Sequence, residues 1–247
     1  MGRAFAAHML NIELADGPAE AILAVPPSGR GPGVLFFMDA YGLRPRIGEM
    51  AERIAGWGYV VLAPNVFYRE GTVAELAPPA GQQPSWEQAA PRVGRLTGAV
   101  VAPDLDGYTD ALRARPEVTD GPLGVVGFCM GGRIAVRAAN RHPEEIAACA
   151  AFHTGGLVTA EPDSPHLGLP DARAEFLFGH ADNDRSMGPE QVAALGAALA
   201  SEGLAATNVV VPDAAHGYTM SDTPAWNEAA YEGAFDRLRD LFERTLG

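Results

Sequence analysis

The chain has 247 residues, 47% of them hydrophobic and 20% charged, which is ordinary for a globular protein. Its formal net charge of −13 disfavours nucleic acid and anionic membrane surfaces as partners, because both are bound through clustered Lys and Arg. No apolar run approaches the roughly 20 residues of a membrane-spanning helix. The composition therefore indicates a soluble acidic protein with a sizeable buried core.

The two cysteines, Cys129 and Cys149, are too few to form a disulfide framework in a chain of this length. No Cys-x-x-Cys or His-x-x-x-His pattern occurs, so neither a structural zinc nor another cofactor is predicted. The first 16 residues lack the basic start and long apolar stretch of a signal peptide. We expect a cytoplasmic protein, either a monomer or a homodimer.

The chain opens, within residues 1–30, with a hairpin signal around Asp16-Gly17. From residue 33 onward, short apolar segments alternate with helical patterns. The predicted strands are 33–38, 59–64, 123–128, 147–152, 175–179 and 207–211. The predicted helices are 47–58, 104–115, 131–142, 189–203 and 226–246. This alternation predicts an α/β fold in a single domain over residues 1–247, with a doubly wound, mostly parallel sheet and helices on both faces.

One segment does not fit the alternation. Residues 70–103 contain several prolines and no clear hydrophobic period, so an irregular segment is predicted there. Long irregular segments in compact domains are often functional or mobile. This one is a candidate to cover an active site, and a surface excursion without function fits the pattern equally well.

The strongest motif is Gly127-Phe128-Cys129-Met130-Gly131-Gly132, which directly follows a predicted strand and precedes a predicted helix. It resembles the nucleophile elbow of α/β hydrolases, in which glycines flank a nucleophile on a sharp, strained turn. The helix that follows presents free N–H groups and the positive end of its dipole, which favour a thiolate and a developing oxyanion. The alternative interpretation is a glycine-rich turn that carries a buried structural cysteine.

In such hydrolases the acid and then the base follow the nucleophile along the chain. His216 follows the last predicted strand and is the expected base, because the other five histidines lie earlier in the chain or in less suitable places. Asp182 and Asp184 both follow the strand 175–179, and we favour Asp182 as the acid, with Asp184 as the alternative. For the oxyanion, the expected backbone donors are Met130 and Ala40.

These residues resemble the dienelactone hydrolase family (carboxymethylenebutenolidases), and the resemblance extends from about residue 33 to residue 246. Its specific mark is cysteine in place of the serine that most α/β hydrolases use. The matching segments are residues 39–42, 64–69 and 127–132, the loop of Asp182, and residues 216–218. The resemblance implies the α/β-hydrolase fold and cleavage of a small ester or lactone.

Family members that cleave dienelactones carry a carboxylate, usually Glu, where this chain has Asp39, and this group is thought to help deprotonate the thiol. They also bind the carboxylate of the substrate with arginines, one of them just beyond the catalytic histidine. Here no arginine follows His216 before Arg237, so a less charged ester or lactone is expected. Arg69 is the remaining candidate contact, and the aromatic candidates for the substrate pocket are Tyr41, Tyr68 and Trp86.

The sequence therefore predicts a hydrolase with a Cys-His-Asp triad and an acyl-thioester intermediate. Two alternatives stay open. The same triad can transfer the acyl group to an alcohol or thiol instead of water, and a relative without catalysis can simply bind a small molecule. The survival of all three triad residue types in the expected order disfavours the second alternative.

Overall fold

The computed structural model describes residues 7–79 and 82–247. Residues 1–6 of the predicted hairpin region and residues 80–81 of the predicted irregular segment lie outside it. The chain consists of two compact units, residues 1–121 and residues 122–247. That the two form one domain stays a prediction.

The described part of the first unit contains four strands, two of which form the N-terminal hairpin. β1 (His8–Leu14) and β2 (Gly17–Ala24) pair antiparallel through a tight turn. β2 also pairs antiparallel with β4 (Val60–Pro64), and β3 (Gly33–Phe37) runs parallel to β4. β3 and β4 are buried along their whole length, as their continuous Val, Leu and Phe runs predict.

The helices of the first unit correct the prediction for residues 70–103. This stretch holds α2 (Val73–Leu76), α3 (Trp86–Arg95) and the start of α4 (Gly98–Arg113), while α1 (Pro45–Ala55) lies where a helix was predicted. Each of the three is capped by a Ser or Thr side chain that accepts a backbone N–H of the first turn; the caps are Thr72, Ser85 and Thr97. Prolines lie inside α3 and α4 and obscured the helical pattern in the sequence.

The second unit contains four parallel strands in the order β5, β6, β7, β8. They are β5 (Leu123–Phe128), β6 (Ile146–Phe152), β7 (Glu175–Asn183) and β8 (Ala206–Ala215). β7 and β8 continue well beyond the predicted ends at residues 179 and 211. Because parallel strands end at the same edge, the loops after all four strands meet there.

Helices flank these four strands. They are α5 (Met130–Arg141), α6 (Pro189–Ser201), α7 (Glu228–Leu246) and a short 3-10 helix, Pro165–Asp171. α7 packs so closely on β5 that a Cβ at Gly124 would press against Phe242 and Leu246. Within the described residues, none of the helices combines the length and apolar character needed to cross a bilayer.

Candidate active site

Cys129 occupies the turn between β5 and α5. Its φ of 54° lies in the left-handed region that residues other than glycine seldom adopt. Two close approaches explain the flanking glycines: a Cβ at Gly127 would collide with the backbone of Gly131, and one at Gly132 would collide with the side chain of Thr154. The turn thus projects a partly exposed sulfur beyond the end of the strand, as the motif predicts.

The register of β7 and β8 determines which residues meet next to this sulfur. Asn183 and Ala215 are paired in the parallel ladder, and each is the last residue of its strand. The next residues along the two strands, Asp184 and His216, therefore emerge side by side.

Three side chains of the second unit form a continuous hydrogen-bonded row. His216 Nε2 lies 3.0 Å from Cys129 Sγ, and His216 Nδ1 lies 2.7 Å from Asp184 Oδ2. The Asp184 side chain is only 2% exposed, whereas about a third of the His216 side chain is exposed. Since a carboxylate only accepts, His216 donates through Nδ1 and leaves Nε2 to exchange a proton with the sulfur. This is the geometry of a nucleophile, a base and an orienting acid.

The contact with His216 corrects the preference for Asp182. Asp182 instead accepts backbone N–H groups from Asp213, at 2.7 Å, and Ala214, at 3.0 Å. The physical reason is that β7 does not end at Gly179, so that Asp182 still lies within the strand and caps the neighbouring backbone. The alternative residue, Asp184, holds the position beside the imidazole.

Hydrogen bonds set the protonation of this row. Burial, the largest influence, acts to lower the pKa of His216, but its bonds to Asp184 and Cys129 outweigh burial and raise the pKa to about 10. Burial likewise acts to raise the pKa of Asp184, but bonds from His216 and Ser186 outweigh it and lower the pKa. The raised pKa thus favours a protonated His216 imidazole beside the sulfur near neutral pH.

The raised pKa of His216 predicts a pH dependence of stability. Because the folded pKa of about 10 exceeds the unfolded value of roughly 6.5, the stabilisation is complete below the unfolded value and is lost as pH rises through the folded one. We expect the excess unfolding free energy of the wild type over His216→Gln, measured with urea, to shrink between about pH 7 and pH 10. Solvent screening keeps the effect modest. An excess unfolding free energy that grew over this pH range would contradict the raised pKa of His216.

Sequence and structure comparisons identify the family. The model of the dienelactone hydrolase family matches residues 19–246, nearly the whole chain. The chain belongs to the dienelactone hydrolase family. It is therefore a hydrolase. It is similar to a candidate carboxymethylenebutenolidase of Methylorubrum extorquens, with 26% identity over 95% of this chain and 80% of that protein. It is also similar to the carboxymethylenebutenolidase of Rhodococcus opacus, with 27% identity over 93% of this chain and 87% of that protein.

Solved structures show the fold. A crystal structure of a candidate dienelactone hydrolase from Klebsiella pneumoniae aligns with a TM-score of 0.85 and 24% identity, covering 98% of this chain and all of the other. This likeness confirms the predicted α/β-hydrolase fold. Other α/β hydrolases, such as an acylaminoacyl peptidase of Pyrococcus horikoshii with a TM-score of 0.71 and 16% identity, align with 99% of this chain and 42% of their own.

The chain contains polar residues near the row that the sequence patterns did not identify. Ser186 Oγ donates to Asp184 Oδ1 at 2.6 Å and lies 3.2 Å from His216 Nδ1, and no motif signals it. Arg133 lies in the first turn of α5, four residues after Cys129, a proximity in sequence that could have been noticed. Met130, one of the expected oxyanion donors, is buried at the first position of α5, where backbone N–H groups lack an intrahelical acceptor.

Asp39 and its neighbours lie in the first unit of this family member. Asp39 is buried and forms a two-pronged ion pair with Arg44, at 2.6 and 2.9 Å, and also accepts the Tyr41 N–H. The Arg44 guanidinium lies over the Tyr41 ring, 5.6 Å from its centroid. Ala40 is buried. The roles expected of Asp39 in proton transfer, of Ala40 in the oxyanion hole and of Tyr41 in binding stay predictions.

Tyr68 and Arg69 are engaged in a structural network. Arg69 bonds both carboxylate oxygens of buried Asp104 at 2.7 and 2.8 Å and also pairs with Asp16, while the Tyr68 hydroxyl donates to Asp104 at 2.8 Å. These bonds hold both side chains in place within the first unit, and the role expected of them in substrate binding stays a prediction. Trp86 is 57% exposed at the first position of α3.

Proposed function

We propose that this protein hydrolyses small esters or lactones through an acyl-thioester on Cys129. The observation that carries the proposal is the pair of contacts made by His216, 3.0 Å to the sulfur and 2.7 Å to Asp184. A thiolate, an imidazole and a carboxylate in this order are the parts that nucleophilic acyl chemistry requires.

The first half of the reaction requires the thiol proton of Cys129 to lie on His216. The Cys129 thiolate attacks the ester carbonyl, and the carbonyl oxygen becomes an oxyanion within reach of the helix N-terminus at Met130. When the C–O bond breaks, the imidazolium of His216 gives its Nε2 proton to the leaving alkoxide. In a lactone the alkoxide stays attached to the acyl group, so ring opening yields a hydroxyacyl-thioester.

The second half returns the enzyme to its initial state. His216 is now neutral and accepts a proton from a water molecule that attacks the thioester carbonyl. The C–S bond breaks, the acid is released, and the sulfur leaves as a thiolate beside the imidazolium. Asp184 stabilises the imidazolium at both ends of the cycle and holds its Nδ1 proton in place.

A panel of small esters, lactones and thioesters tests this function on the wild type and on His216→Gln. We expect the wild type to turn over at least one class and the variant to lose nearly all of that activity. Product analysis with added alcohol distinguishes hydrolysis from acyl transfer. A wild type that cleaves none of the panel, or a variant as active as the wild type, would overturn the proposal.

Arg133 bears on the charge of the substrate. Its side chain lies beside Gly156, whose N–H donates to the Ser186 carbonyl next to the catalytic row. Burial, the largest influence, lowers its pKa, and the charge of Cys129 acts in the opposite direction. Within the described residues this guanidinium makes no hydrogen bond or ion pair. This cation supports a substrate that carries a carboxylate and revises the expectation of a less charged one.

Arg133→Met tests the carboxylate preference with two substrates that share a leaving group, one bearing a free carboxylate and the other its methyl ester. We expect kcat/KM to fall about tenfold for the acid, in line with a charge-assisted hydrogen bond at a partly exposed site. The methyl ester should change little, and Arg133→Lys should retain part of the preference. Equal losses for both substrates would show that Arg133 does not bind the carboxylate of the substrate.

A further inference from the structure

A second histidine, His153, packs against His216, the proposed catalytic base. His153 follows β6, is fully buried, and has a φ of 40°, in the left-handed region. Its backbone N–H donates to the carbonyl of Gly179 on β7 at 2.8 Å. The chain thus turns sharply at the end of the strand and directs this imidazole into the protein, where burial of a polar ring requires compensation.

The ring of His153 contacts three residues of the turn that carries the catalytic base. It meets the His216 ring edge-on, with centroids 5.4 Å apart and an interplanar angle of 67°, and meets the Tyr218 ring at 5.1 Å and 76°. Its Nε2 lies 2.8 Å from Oγ1 of buried Thr219. One side chain therefore supports the whole turn from residue 216 to residue 219.

The surroundings of His153 keep it neutral. Its Nδ1 is buried and has no hydrogen-bond partner among the described residues, so a second ring proton would be buried without an acceptor. Burial first, and then the charge of His216, lower the pKa of His153 well below its usual range, while Asp184 acts in the opposite direction. The other facing groups are Phe128, Tyr218 and Thr219, which are uncharged. The neutral ring then shares one hydrogen bond with Thr219 Oγ1 through Nε2.

We infer that His153 is a positioning residue: a neutral imidazole, anchored by Thr219, that fixes the ring plane of His216. His216 must meet Cys129 and Asp184 at the same time, and rotation of its ring about the Cβ–Cγ bond would break both contacts. The edge of His153 blocks that rotation on one face. The inference rests on the proposed function, because it assigns His153 a role in orienting the base.

Two variants each remove the hydrogen bond between His153 and Thr219, one by changing each partner. His153→Phe retains a ring of similar size without Nε2, and Thr219→Val retains the shape of Thr219 without its hydroxyl. We expect each to lower kcat about tenfold, to leave KM within about twofold, and to give a double variant no worse than either single variant. His180→Phe is the matched control, since His180 is also buried and bonded, at 2.7 Å to Asn208, but lies outside the row.

The pH dependence of Cys129 alkylation by iodoacetamide is the decisive readout, because it requires no ester turnover. In His153→Phe and Thr219→Val, a less constrained His216 loses part of the hydrogen bonding that raises its pKa. The part of the alkylation pH profile that reports titration of His216 should therefore move to lower pH in these two variants. It should not move in His180→Phe. An unchanged limb together with wild-type kcat would overturn the inference and leave the proposed function intact. A wild type without ester turnover would instead refute the proposed function, while the alkylation profiles would still test the positioning.

Discussion

Cys129→Ala is expected to abolish ester turnover, with a loss of at least about 10⁴-fold in kcat, as for other enzymes deprived of their nucleophile. The sulfur lies 3.0 Å from His216 Nε2 and is the strongest nucleophile of the row. The alanine side chain is accepted by the same strained turn, so the fold should persist. Steady-state kinetics and urea unfolding of the purified variant measure the two effects.

Two companion variants make the result specific. Cys129→Ser should retain a small part of the activity, because a hydroxyl at this position can still be activated by the imidazole. Cys149→Ala should retain nearly all of it, because Cys149 is fully buried inside β6. Undiminished hydrolysis by Cys129→Ala would remove the sulfur from the mechanism.

Asp184→Asn is expected to lower kcat by about 10²- to 10⁴-fold, the range in which loss of the orienting carboxylate falls. The amide keeps the size of the side chain but removes the charge that stabilises the imidazolium, and with it much of the cause of the raised pKa of His216. The alkaline limb of the activity profile should therefore move to lower pH. Kinetics across about pH 6–10 measure both effects.

Asp182→Asn is the matched control for this prediction. It changes the same atoms two residues away, where the carboxylate accepts the N–H groups of Asp213 and Ala214, and an amide oxygen can still accept one of them. We expect at most a few-fold loss in kcat and a small loss of stability. A larger loss for Asp182→Asn than for Asp184→Asn would reverse the assignment of the acid.

Sequence patterns predicted the fold wherever burial dominates. β3, β4 and β5 are apolar throughout and buried on both faces, so their runs of Val, Leu and Phe were sufficient. The ends of β7 and β8 were missed because polar residues there are held by pairing with the neighbouring strand. α3 and the start of α4 were missed because a proline lies inside each helix, and packing and capping override that local preference.

In the candidate site, too, local patterns predicted some residues, and long-range strand pairing determines the others. Cys129 and His216 were predicted because a motif and a chain order identify them. The choice between Asp182 and Asp184 depends on the register Asn183–Ala215, a long-range property that a single sequence does not display. The side-chain contacts of Ser186 and His153 depend on that register too, since they lie around the imidazole it positions.

The most direct test of the central claim is to trap the acyl enzyme. Mixing the protein with an excess of a slowly deacylating ester, quenching in acid and analysing peptides by mass spectrometry shows where the acyl group resides. We predict the mass of one acyl group on the peptide that contains Cys129, and none in Cys129→Ala. Turnover accompanied by an acyl group on any other residue would contradict the covalent role of Cys129.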